Sequence, residues 1–196
     1  MRSIFSFLIL LLANTSYASA PEPGQFRYAF GPYFYRSIID STQFKEVDSV
    51  KTGMALNVEG GMPNDSSIEL QFLYFEKRYF NDSDLGYMYS ASPRVYITLG
   101  YRKWLFDQAS VALGLASHYL VGAEKVISSG GDSSGLELSS AKESSYSGDF
   151  SLQLEIFSTK KSAFVFDYRY SYLLFHKEGE ESNHSAVMLL YRGVVP

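Results

Sequence analysis

The stretch FVFDYRYSYLL, residues 164–174, alternates without a break. Phe164, Phe166, Tyr168, Tyr170, Tyr172 and Leu174 fall on one parity, and Val165, Asp167, Arg169 and Ser171 on the other. Successive side chains of a strand point to opposite faces, so this period of two predicts a β-strand with one oily and one polar face. The segment is too short and too charged to cross a bilayer as a helix, which needs about 20 apolar residues.

The same grammar extends in both directions from this strand. Upstream, Phe150, Leu152, Leu154 and Ile156 oppose Ser151, Gln153 and Glu155, while Val111, Leu113, Leu115, Tyr119 and Val121 oppose Ala112, Gly114, Ala116 and His118. Val95, Ile97, Leu99 and Tyr101 oppose Tyr96, Thr98, Gly100 and Arg102. Ile68, Leu70, Phe72 and Tyr74 oppose Glu69, Gln71 and Leu73, and Val50, Thr52, Met54, Leu56 and Val58 oppose Lys51, Gly53, Ala55, Asn57 and Glu59. The terminal segments complete the set. In residues 26–38, Tyr28, Phe30 and Phe34 oppose Ala29, Gly31 and Tyr33, with Pro32 predicting a bulge or distortion because it donates no ladder hydrogen bond. In residues 184–194, apolar on both faces, Val187, Leu189 and Tyr191 are set outward and Ala186, Met188 and Arg192 inward. These segments predict an all-β fold, an eight-stranded antiparallel up-and-down transmembrane barrel.

Which face points outward follows from the content of the polar stripe. A sheet facing water, as in a soluble lipocalin-like barrel, displays many lysines and glutamates. Here that stripe is mostly Gly, Ala, Ser, Thr and Gln with scattered charges of both signs. Small residues suit the crowded interior of a narrow barrel, which side chains fill. The oily stripe is therefore read as facing lipid. With 16 Tyr and 15 Phe but one Trp, the composition supplies rings with a polar tip for the boundary between hydrocarbon and headgroups. Burying a charge without a partner is costly. The inward parity therefore predicts a lumenal network in which Glu59, Glu69, Glu155 and Asp167 meet Arg94, Arg102, Arg169 and Arg192, supporting the barrel in preference to an ion path.

The connections alternate in length, as they do where turns face the periplasm and loops the outside. Residues 40–49, 81–92, 124–147 and 176–183 are read as long loops, the third rich in Ser and Gly. Residues 60–66, 106–109 and 158–162 are shorter. Both termini then lie on the periplasmic side. The N-terminus itself, Arg2 followed by an apolar run to Ala13 and then Ala18-Ser19-Ala20, reads as a secretory signal peptide. The domain plan is a signal peptide over residues 1–20, cut after Ala20 or, because Pro21 opposes that cut, after Ala18, and a barrel over residues 21–196.

With these residues in hand, the chain resembles the broad outer-membrane β-barrel family that includes the OmpA-type and OmpX-type eight-stranded barrels. The resemblance spans residues 25–195 and rests on architecture, its nearest approach to a motif being Val95-Tyr96-Ile97-Thr98-Leu99-Gly100-Tyr101-Arg102 before a tight turn. It implies the outer membrane of a Gram-negative bacterium, with lipids and lipopolysaccharide as neighbours, the barrel-assembly machinery as partner during biogenesis, and a monomeric state. Members of that family end in an aromatic residue, whereas this chain ends Tyr191-Arg192-Gly193-Val194-Val195-Pro196. Either Tyr191 takes that part or the assembly signal is atypical.

Chemistry is a weaker expectation. With no cysteine, disulfides, thiol catalysis and cysteine metal sites are out, and a net charge of −4 argues against nucleic acid. A wall-borne His-x-Ser pair of the kind found in lipid A deacylases is absent, since Leu120, Glu178 and Ala186 lie two positions after His118, His176 and His184. A cross-strand constellation stays open, because such sites are defined by geometry and not by order. His118 is read as a lumenal hydrogen-bonding residue and the other two as lying near loops. Asn81-Asp82-Ser83-Asp84 clusters oxygens of the kind calcium prefers but lacks the full calcium-loop pattern, and reads as a solvated acidic loop. No catalytic residue, cofactor or metal is assigned. The expected role is structural or adhesive, presenting four loops. A narrow pore or carrier is the alternative, with a lipid-modifying enzyme third and a soluble binding barrel fourth.

Overall fold

The structure, a computed structural model, describes residues 20–39, 50–83, 86–123, 125–128, 145–174 and 181–195. The expected signal peptide up to residue 19, the loop 40–49, and most of 124–147 and 176–183 lie outside them. The described strands are β1 (Phe26–Ile39), β2 (Lys51–Met62), β3 (Ser66–Ser83), β4 (Gly86–Phe106), β5 (Ala109–Leu120), β6 (Lys125–Ser128), β7 (Ser145–Ser158), β8 (Ser162–Leu173) and β9 (Glu181–Val194). Eight of them form a ring in which every pairing is antiparallel and β9 closes onto β1. The short β6 stands outside the ring and, among the described residues, pairs with Met88–Ala91 of β4.

Following partner to partner once around the wall gives Arg27, Glu59, Glu69, Gly100, Gly114, Asp149, Ser171, His184 and then Ser37. The path leaves β1 at residue 27 and re-enters it at residue 37. A closed ladder with this stagger holds its strands at about 40° to the axis, and its interior is just wide enough for side chains to fill. Every residue on the path has the inward parity, so the ring brings together groups far apart in the chain.

The oily stripe is outside on all eight strands. Leu56, Leu70, Leu99, Leu113, Leu115, Phe150, Tyr168 and Leu189 are exposed, while Tyr33, Gln71, Tyr96, Arg102, Asp167, Arg169 and Met188 are buried. Aromatic rings gather toward both ends of this outer surface. Phe26, Tyr28, Phe106, Phe157, Phe164 and Tyr191 are exposed near the turn end, and Tyr74, Tyr119, Tyr146 and Tyr172 near the other. The first and last strands follow the assigned parity, Leu190 joining Met188 inside.

Three expectations need correction or narrowing. Of the bulge or distortion expected at Pro32, the structure shows the distortion and not the bulge: Pro32 stays in register opposite Met54, while residues 31 and 32 drop out of the ladder to β9, which resumes in the same register at Tyr33. A Cβ on Gly31 would meet the Leu189 carbonyl oxygen at 2.2 Å, so the backbones close in where the proline has removed a donor. Second, residues 81–92 are not a loop. β3 and β4 run 18 and 21 residues and stay paired out to Ser83 and Gly86, leaving only residues 84 and 85 between them. The acidic Asn81–Ser83 segment is thus strand, and the connection is a hairpin projecting beyond Arg94, where β5 pairing ends. Third, the predicted turn 60–66 contracts to residues 63–65, with Asn64 and Asp65 at φ 61° and 48°, a left-handed backbone that these two residue types tolerate.

Candidate functional site

Strand parity delivers five arginines and five carboxylates to the lumen as buried side chains among the described residues: Arg27, Arg94, Arg102, Arg169 and Arg192 with Glu59, Glu69, Asp149, Glu155 and Asp167. None of these five buried cations is lysine; Lys51, on the same parity of β2, is only half-buried, with its ammonium 5.6 Å from the Tyr35 ring. Guanidinium stays charged and offers a planar fork of donors that can serve two carboxylates at once, which suits a crowded interior.

At mid-height these groups form a belt. Glu69 on β3 takes Arg102 of β4 on one oxygen, Oε2, through Nε at 3.0 Å and Nη2 at 2.5 Å. Its other oxygen accepts Nη2 of Arg169, from β8 across the ring, at 2.9 Å. Arg169 Nη1 donates to Asp149 Oδ2 at 3.1 Å, and Arg102 lies 3.6 Å from Asp167. Hydroxyls complete the belt: Ser110 and Ser151 accept from Arg102 at 2.9 and 3.1 Å, Ser151 donates to Asp167 at 2.9 Å, and Thr98 and Tyr96 donate to Asp149. A water-filled channel leaves its lining exposed. The belt residues are at most 3 % exposed, so this section is filled.

Below the belt, toward the turns, Arg192 pairs with Glu155, lies 3.9 Å from Glu59, and donates to Gln153 at 3.4 Å. Gln153 in turn donates to Asp167, tying this cluster to the belt. Trp104 is approached by Arg27 at 5.8 Å and Arg192 at 5.1 Å, and its indole N–H donates to Glu59 at 3.2 Å. A polar cavity of about 230 Å³ indents this end, lined by Glu22, Gln25, Arg27, Glu155, Lys160 and Arg192 among others.

Above the belt the chemistry changes to rings. Phe75 lies 5.9 Å from Tyr96, 5.2 Å from His118, 6.0 Å from His184 and 6.2 Å from Tyr35, all buried. His118 Nε2 is 3.2 Å from Ser147 Oγ, which is 2.8 Å from the Tyr96 hydroxyl. This is a cross-strand serine and histidine pair, with both side chains buried on the lumenal face. Their hydrogen bonds continue through Tyr96 to Asp149 and the belt.

Seven of the eight residues singled out in the sequence, all but Arg94, fall into the belt or the lower cluster. Arg94 is fully buried at the rung of Phe75 and Leu120, at the level of the rings. Sequence reasoning missed Asp149, although it shares the parity of Ser151, Gln153 and Glu155, because the strand was begun at Phe150. It missed Trp104, one same-face step past Arg102, and Arg27, which lies inside the segment 26–38 on the parity of Ala29 but was not counted among its inward groups. His184, expected near a loop, is on the lumenal face against Phe75 and Tyr96.

A closed, staggered ring of eight strands with its oily side out and its ion pairs within has the fold of the small outer-membrane β-barrels. Among solved structures the chain is similar to OprG from Pseudomonas aeruginosa, with TM-score 0.59 and 11 % identity, covering 92 % of this chain and 99 % of that one. It is also similar to Ail, the attachment invasion locus protein of Yersinia pestis, solved with the heparin analogue sucrose octasulfate, with TM-score 0.52 and 16 % identity over 88 % and 98 % of the two chains. No family model and no curated protein matches the sequence.

Proposed function

We propose that this protein spans the outer membrane of a Gram-negative bacterium as a monomeric, closed barrel whose role is structural or adhesive, carrying its long connections to the cell surface. The signal peptide ends at Ala20 or Ala18, both termini face the periplasm, and the barrel-assembly machinery inserts the chain among phospholipid and lipopolysaccharide. The observation that carries this reading is the belt around Glu69. Its buried ion pairs belong in the interior of a membrane barrel and obstruct conduction, while the oily outer face has no use in water. Small apolar patches occur on soluble proteins, but an apolar surface around the whole circumference does not.

The test is extraction and conductance on one preparation. The mature chain is expected to partition with outer membranes, to need detergent for release, and to migrate differently on gels before and after boiling. Reconstituted in planar bilayers it is expected to pass no steady current. Release of the chain by osmotic shock without detergent would overturn the membrane assignment. Steady ohmic conductance would replace the structural role with that of a narrow pore.

A further inference from the structure

Glycine weakens a strand, so one inside a strand calls for a reason such as a close approach by backbone or ligand. Within this barrel the protein itself supplies the reason at almost every position. A Cβ built on Gly31, Gly53, Gly60, Gly61, Gly100, Gly114 or Gly193 would find a neighbouring atom at between 2.0 and 3.3 Å. Gly148 differs. A Cβ there would meet no described atom within 4 Å, its φ is not left-handed, and its register with both neighbouring strands is unbroken. Neither packing, turn geometry nor a bulge explains it.

Gly148 lies on the outward parity of β7, between Leu115 of β5 and Tyr172 of β8 on the same rung. The rung on one side carries Leu113, Phe150 and Tyr170, and Ser117 and Tyr146 lie on the other. A pit one side chain wide therefore interrupts an otherwise continuous apolar wall. Its borders are unusually bare: Leu113 and Leu115 are each 68 % exposed, more than any other outward leucine. At its upper corner the Ser117 hydroxyl is buried and has no hydrogen-bond partner among the described residues.

We infer that this pit seats one acyl chain of an outer-leaflet lipid. The inference rests on the outward face meeting lipid. A methylene chain matches the width of a missing side chain. A second copy of this chain would need a complementary surface of about 800 Å² per partner, which a single-residue pit does not provide.

The experiment uses the refolded barrel in vesicles of phosphatidylethanolamine carrying a diazirine near the middle of one acyl tail. After irradiation, adducts are mapped by mass spectrometry for the parent, Gly148→Leu and Gly148→Ala, each checked for the gel shift of a folded barrel. In the parent, adducts are expected to concentrate on the peptides bearing Leu115, Tyr146 and Tyr172 over those bearing Leu56 and Leu70 on the far wall. Gly148→Leu should abolish that excess and Gly148→Ala should reduce it. An even distribution in the parent, an excess unchanged in both variants, or protein-to-protein cross-links at these peptides would overturn the pit. A total absence of lipid adducts around the wall would instead overturn the membrane assignment on which it rests.

Discussion

The lumen is closed by two unlike chemistries. Around Glu69 the filling is ionic, with each guanidinium held by several acceptors in a fixed geometry. Around Phe75 it is aromatic, with rings meeting edge to face at 5 to 6 Å. An ionic belt is unforgiving, because removal of one partner leaves a charge in a low-dielectric interior. An aromatic plug is more forgiving, since the loss of one ring leaves no charge unpaired. The stable half of the barrel should therefore be the half nearer the turns.

Several substitutions can break or sharpen that contrast. The largest effect is expected from Glu69→Ala, which takes from Arg102 the carboxylate it contacts through two nitrogens and from Arg169 one of its two carboxylates. Urea unfolding of the detergent-folded barrel should show a loss of about 3–5 kcal/mol, the cost typical of breaking a buried pair. The double variant Glu69→Ala with Arg169→Ala should lose less than the sum of the single variants, which a double-mutant cycle reads directly. Arg169→Ala alone comes next, at about 3 kcal/mol, because Glu69 retains Arg102 and Asp149 retains Thr98 and Tyr96. Its bilayer conductance should stay at the parental level, and a clear rise would mean that the belt is a gate and not a support. Phe75→Ala should cost only about 1–2 kcal/mol, the sum of two or three edge-to-face pairs, because it leaves no charge unpaired. Hydrogen exchange should quicken at its neighbours Tyr96 and His118 and not at Arg102. A loss as large as that of Glu69→Ala would erase the contrast. Tyr96→Phe, which removes the hydroxyl joining the two regions, is expected at about 1 kcal/mol in the same unfolding measurement.

How much of this could be read from the chain depended on what alternation encodes. It encodes faces, so the inward and outward sets were legible strand by strand, including Arg192 and Met188 in a segment apolar on both sides. It does not encode height around a cylinder. Glu69 meets Arg169, a hundred residues away, only because of the ten-residue offset from Arg27 to Ser37. Parity could list Arg94 with the other arginines but could not tell that it rises to the rings. The hairpin of β3 and β4 was lost for a different reason. Asn81-Asp82-Ser83 has turn-forming side chains, and the pairing of Asn81 with Met88 and of Asp82 with Tyr87 overrides that local preference. Asp149 was legible in principle, one more step of an alternation already in hand.

The pairing of β9 with β1 joins the last strand to the first. Until residues 181–194 are in place, nothing upstream can be sealed, and β1 and β8 both offer bare backbone to any passing strand. Closure of this chain is thus all or none: a polypeptide short by one strand is an open sheet inviting aggregation.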